Sequence, residues 1–211
     1  MPQAQSVGEL TRYADCVKEL RVDNLGAVGT RLLLGEMGVA DVPASFVRAV
    51  QSQYPHFSPQ PASQLGLSLC KVHCYAEYRV EVADMLLKGT LMHENGLREG
   101  SALRPRWLHA ISLPISVFVE RELCAEFQLL EAACEVLSRG GASGVYRNGQ
   151  RVHARGCLRM AVTGASCLSC VGAMRQFQIL WPQVDLAVGM LGRWQASNMP
   201  TSEIGPAGFQ C

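Results

Sequence analysis

Two cysteine-bearing segments, residues 124–126 and 166–170, stand where helical patterns of apolar side chains begin. The first pattern continues at steps of four and three until two glycines interrupt it, and the second continues until Pro182. An apolar, β-prone run lies between them at 157–162, and another follows at 184–191. Parallel strands would bring both helix starts to the carboxyl edge of one sheet, where open α/β sheets bind ligands. We therefore expect an α/β fold with helices packed on both faces of a central sheet.

Further elements are predicted upstream of these motifs and between them. Apolar residues spaced by three and four predict helices, and short β-prone runs predict a strand pair and a hairpin. The predicted helices are 6–22, 26–37, 45–50, 65–87, 124–139 and 166–181; the strand pair is 107–112 and 115–119, after a loop at 88–105; the hairpin is 145–152, around Asn148-Gly149.

A proline-rich stretch suggests how the chain divides. Residues 52–64 hold three of the ten prolines and no formal charge, which is typical of an extended linker. We expect an N-terminal helical subdomain at 1–51, a main domain at 65–195 and an irregular tail at 196–211.

Composition narrows the class of protein. A chain of 211 residues can bury a core without staples. The longest apolar run, 108–119, contains Pro114 and is too short to span a bilayer, and no secretion signal opens the sequence. Nine irregularly spaced cysteines favour a reducing compartment or metal ligation over a disulfide framework. We expect a cytoplasmic protein that does not enter membranes.

The two motifs together supply the parts of a catalytic zinc site. Cys167 and Cys170 lie three apart on a first helical turn, which places both sulfurs on one side, and the helix N-terminus lowers thiol pKa values. Cys124 would add a third thiolate and leave the fourth zinc position open. Glu126, two residues after a ligand, would lie beside a water in that position without binding the metal.

The arrangement resembles the cytidine-deaminase-like superfamily of zinc deaminases. The resemblance lies in Cys-Ala-Glu-Phe-Gln-Leu-Leu at 124–130, an intervening strand, and Gly-Ala-Ser-Cys-Leu-Ser-Cys at 164–170. It is most similar to divergent deaminase domains of bacterial toxins and related fungal proteins. It implies a three-layer core over 65–191, Zn²⁺ as cofactor, and Glu126 as the group that moves protons during hydrolytic deamination. It also implies base contacts from the backbone at Ala125 and Ser166, where proline is usual in the family.

The substrate is expected to be a nucleobase, cytosine being favoured, in single-stranded nucleic acid or a nucleotide. Between Glu135 and Asp185 the chain has no carboxylate, and this window across the second motif would attract phosphate. The arginines of the window are Arg139, Arg147, Arg151, Arg155, Arg159 and Arg175. Candidates for stacking on the base are His109, Phe127, Tyr146, His153 and Trp181. A free nucleoside is the alternative substrate. By the toxin resemblance, the protein could act in another cell as a delivered effector.

Two readings outside this enzyme class stay open. A fourth ligand, Cys157 or His153, would close the zinc site and make the protein an interaction module. Alternatively, Cys167 and Cys170 form a redox pair. A separate metal site is also considered on the helix predicted at 65–87, at Cys70, His73, Cys74 and Glu77. Buried thiols and a core histidine explain this cluster more simply than a metal does.

Overall fold

A four-stranded mixed sheet forms the centre of the protein. The computed structural model describes residues 25–55, 57, 71–82, 85–96, 105–111, 121–139 and 153–191. The strands are β1 (His73–Val82), β2 (Met85–Glu94), β3 (Ala154–Val162) and β4 (Val184–Met190). Their order across the sheet is β2-β1-β3-β4. Strand β1 is antiparallel to both neighbours, whereas β3 and β4 are parallel.

Four helices accompany the sheet, and the prediction of an α/β class is confirmed. They are α1 (Leu25–Glu36), α2 (Ala44–Gln53), α3 (Ala125–Arg139) and α4 (Leu168–Leu180), with a single turn of 3-10 helix at Arg121–Leu123. These four helices, together with β3 and β4, match their predicted positions to within a few residues. Helix α4 makes the crossover between β3 and β4, as parallel strands require.

Alternation along the strands divides the core between the two faces of the sheet. Leu158 and Met160 of β3 pack in a cluster with the apolar side chains of α3 and α4. Ala161, one residue later, faces the other way and packs in a cluster with α2. Tyr75 of β1 belongs to this second cluster, and its ring lies 6.2 Å from that of Phe46 on α2. The sheet is therefore covered by α3 and α4 on one face and by α2 on part of the other.

The segment between α1 and α2 adds backbone contacts to the sheet edge. Ala40 forms an isolated parallel bridge with Ala187 of β4. The Ala40 carbonyl accepts a hydrogen bond of 2.8 Å from the Val188 amide. Residues before the expected linker therefore pack in the core, through α2, and pair with the edge strand β4, through Ala40. The boundaries expected at 1–51, 52–64, 65–195 and 196–211 stay a prediction.

The helix predicted over 65–87 is wrong over its described part, 71–82 and 85–87, and so is the loop predicted at 88–105 where β2 occupies it. Residues 73–82 and 85–94 form an antiparallel hairpin. The spacing misled because Ala76 and Val80 are four residues apart, a step that keeps residues on one face of a helix and also on one face of a strand. Pairing of β1 with β3 on its other side selects the strand.

The cluster weighed as a second metal site depended on that helix. His73 and Cys74 are consecutive on β1, so their side chains point to opposite faces of the sheet. Cys74 is fully buried beneath α3. The helical spacing that would have gathered the cluster is therefore absent from 73–82, and Cys70 lies outside the described residues.

The strand predicted at 107–112 is also wrong over its described part. Residues 105–111 form no strand, and this connecting segment runs across α3 and α4. The Glu131 carboxylate accepts hydrogen bonds from the amides of Arg106, Trp107 and Leu108, the last two at 3.0 Å. Helix side chains thus replace a neighbouring strand as partners of this backbone. The predictions for 6–22, 115–119, 145–152 and the tail lie outside the described residues.

Among the described residues, no helix combines the length and the apolar character that crossing a bilayer requires.

Candidate metal centre

The candidate site lies where the loop after β3 meets the first turns of α3 and α4. Cys124 immediately precedes α3, and the 3-10 turn at Arg121–Leu123 leads into it. Cys167 is the N-cap of α4, and its sulfur accepts the amide N–H of Cys170 at 3.4 Å. The free N–H groups of a helix start favour negative charge, which explains why thiol ligands occur at these positions.

Three free thiols converge at this point, as predicted. The Cys167 and Cys170 sulfurs are 3.4 Å apart, and those of Cys124 and Cys167 are 4.0 Å apart. All three sulfurs lie within 4.8 Å of one another. This group could hold a metal ion.

The spacing of the sulfurs fits a tetrahedral ion. With Zn–S bonds of about 2.3 Å, tetrahedral ligands are about 3.8 Å apart, and the measured 3.4 and 4.0 Å lie on either side of that separation. Thiolate is also a preferred ligand of Zn²⁺ and a poor one for Mg²⁺ or Ca²⁺. Among the described residues, no fourth histidine, cysteine or carboxylate joins the three sulfurs.

Charge is distributed unequally among the three thiols. Hydrogen bonds with Cys124 and Cys170 lower the pKa of the Cys167 thiol far below its ordinary value, and Arg121 adds a smaller effect in the same direction. The hydrogen bond between Cys124 and Cys167 raises the pKa of the Cys124 thiol to about 11. The pKa of Cys170 is also raised, mainly by Cys124. Of the three thiols, the N-cap thiol of Cys167 is the one whose pKa is lowered.

Glu126 lies in the first turn of α3, beside the triad. Its side chain is buried, and this burial raises the pKa of its carboxyl. The nearby backbone amide, the Ser166 hydroxyl and the Cys170 thiol partly oppose that rise. The Glu126 carboxylate is not a member of the group that the three sulfurs form. It is therefore a neighbour of the three sulfurs and not one of the grouped ligand atoms.

Ser166 contributes a buried hydroxyl that lies close enough to the Glu126 carboxylate to lower its pKa, yet completes no hydrogen bond by distance and angle among the described residues. Only 3% of the residue is exposed, and among the described residues its Oγ has no hydrogen-bond partner. A buried hydroxyl without a partner costs about 1–3 kcal/mol. Placed beside Glu126 and next to Cys167, this hydroxyl is available to a water or a bound molecule at the site.

The predicted base-contacting side chains lie on several different elements, and their role in binding a base stays a prediction. His153 is exposed just before β3, and the length of that strand, about 30 Å, separates it from the Cys167 loop. His109 is exposed on the connecting segment 105–111, where its backbone is bound by Gln176. Phe127 and Trp181 are buried in the core. Tyr146 lies outside the described residues, and Ala125, fully buried, begins α3 next to Cys124.

The arginine-rich window is likewise dispersed. Arg155 and Arg159 lie on β3, on the face opposite to Leu158 and Met160, and Arg155 is near the end remote from the triad. Arg139 ends α3, and Arg175 lies on the third turn of α4. The basic group that acts on the thiols is Arg121, outside the window. Arg147 and Arg151 lie outside the described residues.

The alternative fourth ligands are also placed elsewhere. Cys157 is disulfide-bonded and lies on the face of β3 opposite to Leu158. His153, as described above, is at the far end of the same strand. Neither belongs to the group formed by the three sulfurs.

Three neighbours of the site were not predicted from the sequence. Thr30 donates a hydrogen bond of 3.0 Å to the Ser166 carbonyl from α1. Cys74 of β1 is fully buried, and this burial raises the pKa of its thiol. The nearby Glu126 carboxylate raises that pKa further. Arg121 is the third. The first two come from distant parts of the chain, so no local pattern points to them. Arg121 is three residues before Cys124, so its closeness in sequence could have indicated it.

Comparisons with known proteins find nothing similar to this chain. No family model matches it, and it has no significant match among curated proteins or solved structures.

Proposed function

We propose that this protein is a zinc-dependent hydrolytic deaminase of a nucleobase. The observation that carries the proposal is the convergence of three free thiols with a buried carboxylate, Glu126, and an unpartnered hydroxyl, Ser166. Cysteine and glutamate motifs distant in the sequence thus form one cluster with the parts that zinc deaminases use.

Cys124, Cys167 and Cys170 would hold the ion. Zinc bound by three protein ligands supplies Lewis acidity that lowers the pKa of a water molecule toward neutrality. The open fourth position is supported by the absence of another ligand among the described residues. The first turns of α3 and α4 hold the three sulfurs, so the helix ends orient the ligands.

Glu126 would carry the protons of the reaction. It accepts a proton from the attacking water and returns protons to the ring nitrogen and the departing amine, so that amine and water are exchanged for carbonyl and ammonia. Its buried position excludes bulk water from this transfer. The Ser166 hydroxyl, which lacks a partner in the described structure, can bind the attacking water or the base.

The proposed substrate is cytosine within a nucleotide or single-stranded nucleic acid. Resemblance of the 124–130 and 164–170 motifs to the deaminase superfamily supports the base, and Arg121 beside the triad supports a phosphate-bearing molecule. The proposed architecture is the three-layer core of that superfamily. It is supported by the order of two strands, helix, strand, helix and strand from β1 to β4.

One specific observation favours a second candidate, a dithiol redox pair. The 3.4 Å between Cys167 and Cys170 and the lowered pKa of the N-cap thiol are features of such pairs. Cys124 argues against it, because a third thiol at 4.0 Å has no role in a two-cysteine couple.

Zinc content and ammonia release, measured together, test the proposal. The substrates are cytidine, adenosine, their nucleotides, and single- and double-stranded oligonucleotides. Wild type should contain one zinc per chain and release ammonia from at least one cytosine substrate. Glu126→Gln should retain zinc and lose activity, whereas Glu81→Gln, which neutralises an exposed carboxylate on β1, should retain both.

Three outcomes would contradict the proposal. Bound zinc without activity on any substrate would indicate a structural site. A zinc-free protein in which mass spectrometry finds a Cys167–Cys170 disulfide would favour the redox pair. Equal activity in wild type and Glu126→Gln would remove the carboxylate from the mechanism.

A further inference from the structure

A buried hydrogen bond connects helix α1 to the candidate metal centre. The Thr30 hydroxyl donates to the Ser166 carbonyl at 3.0 Å, across 136 positions of sequence. Thr30 is only 6% exposed. Because the Ser166 carbonyl belongs to the peptide that leads into Cys167, this bond holds the peptide plane immediately before a proposed ligand.

The orientation of that peptide decides where two functional atoms lie. Rotation of the Ser166–Cys167 peptide would move the Ser166 side chain on one side and the Cys167 backbone on the other. Cys167 also has to stay in its extended N-cap conformation, with φ −78° and ψ 164°, for its sulfur to accept the Cys170 amide. A fixed carbonyl therefore restricts both the Cys167 sulfur and the Ser166 hydroxyl.

Helix α1, which carries Thr30, is held in place by further contacts with the rest of the protein. Beyond the end of α1, the Met37 carbonyl accepts a hydrogen bond of 3.1 Å from Gln178, near the end of α4. Leu34, 4% exposed, packs in the main core cluster between these two anchors. These contacts keep the last turn of α1 alongside α4, and a helix held in this way can fix a loop more tightly than a mobile segment could.

We propose that Thr30 is a positioning residue of the metal centre: its hydroxyl fixes the Ser166–Cys167 peptide so that Cys167 and Ser166 are held ready for metal and substrate. The role assigned to the metal rests on the proposed function. Hydrogen bonds behind ligands hold them in place and raise metal affinity in other proteins. Here such support comes from a helix more than a hundred residues upstream of the ligands.

The test compares Thr30→Val, which removes the hydroxyl at nearly constant volume, with Thr30→Ser, which retains it. Zinc affinity is measured by chelator competition, and the visible spectrum is recorded with cobalt replacing zinc. Loss of one supporting hydrogen bond should weaken zinc binding about 3- to 10-fold and shift the cobalt bands. Thr30→Ser should resemble wild type in both measurements. If Thr30→Val does not fold, Thr30→Ala takes its place.

Val50→Ala on α2 provides the matched control, because it removes a buried side chain from the cluster on the other face of the sheet without touching α1 or its bond to Ser166. It should lower the unfolding midpoint and leave zinc affinity within about 2-fold of wild type, less than the loss of a net hydrogen bond would produce. Unchanged affinity and spectrum in Thr30→Val would overturn the inference. So would an equal loss of affinity in Val50→Ala, because Thr30 would then act only through stability.

A metal-free readout separates this inference from the proposed function. If wild type binds no zinc, the proposed function fails, and the rate of Cys167 alkylation by iodoacetamide, located by mass spectrometry, decides the role of Thr30. A peptide freed from Thr30 should expose the half-buried Cys167 sulfur and increase that rate in Thr30→Val relative to Thr30→Ser. Equal rates in the two variants would overturn the inference.

Discussion

Replacing Glu131 tests the connecting segment that the structure shows lying across α3 and α4. Glu131, on α3, accepts hydrogen bonds from three consecutive backbone amides, those of Arg106, Trp107 and Leu108. Glu131→Ala removes every acceptor at once, whereas Glu131→Gln leaves one oxygen. A graded loss of stability should follow, the alanine variant losing more.

The magnitude follows from the burial of the three amides. Arg106 is exposed, so water can replace the carboxylate there at little cost, but Leu108 is fully buried and Trp107 is partly buried. Each hydrogen bond to a charged acceptor contributes about 1.5 kcal/mol at the lower end of its range, so the two inner amides give about 3 kcal/mol for Glu131→Ala. One retained oxygen should halve this loss in Glu131→Gln, to about 1.5 kcal/mol.

Thermal and urea unfolding measure this series directly. A loss of about 3 kcal/mol in a chain of this size corresponds to a decrease in melting temperature of roughly 6–12 °C. Glu81→Ala, which removes an exposed carboxylate on β1, should change the melting temperature by less than about 2 °C. A change of that small size in Glu131→Ala would refute the reasoning, and equal losses in the alanine and glutamine variants would show that acceptor number is irrelevant.

Three further predictions concern the metal, the pH dependence and the backbone. Cys167→Ser should weaken zinc binding, measured by chelator titration, by more than the roughly 100-fold that replacing a residue behind the ligands can cost. Cys134→Ser, at a buried thiol outside the triad, should keep the metal in the same titration. Equal loss of zinc in both variants would count against the site. The pKa of Glu135 is lowered, mainly by the Trp107 indole N–H and then by Arg139. Ionised Glu135 therefore stabilises the folded protein fully above pH 4.5, the ordinary pKa of the group. This stabilisation is lost as the pH falls through the lowered pKa of the folded state. Glu135→Gln should therefore flatten the acid limb of the stability curve, and an unchanged limb in urea titrations would disprove this. Gly156→Ala should cost about 2 kcal/mol or more, because φ is +149° and the added carbon would meet a β1 carbonyl oxygen at 2.1 Å; an unchanged urea midpoint would contradict the close packing of β1 on β3.

Local patterns in the chain were enough to locate the proposed ligands. Cys124 and Cys167 stand at helix starts, and their motifs could be recognised because a helix start, a three-residue spacing and an apolar period are all properties of a few neighbouring residues. The convergence of the two helix starts was expected from a rule about parallel strands, but the adjacent parallel strands that the structure describes, β3 and β4, lie on either side of α4 alone. Glu126 was located in the same way, from its distance to a ligand.

The side chains expected to hold a substrate were harder to find. His109, His153 and Trp181 qualified by chemistry alone, and the structure places them on an exposed segment, at the far end of a strand and in the core. The residue type identifies what a side chain can do, but where the side chain points and how deeply it is buried depend on packing. The arginine window failed to gather for the same reason, since alternation along β3 sends Arg155 and Arg159 away from the face that carries α3 and α4.

Helices α3 and α4, strands β3 and β4 and the cysteine positions could be read from the amino-acid order because short-range periodicity and helix capping specify them. The conformation of residues 73–94 could not, since a four-residue apolar step suits helix and strand alike, and the strand is selected by hydrogen bonds to β3, about eighty positions away. Thr30, Glu131 and the unpartnered Ser166 hydroxyl belong to this second group. Their importance arises from contacts between segments that the folded chain brings together, and no local pattern records such contacts.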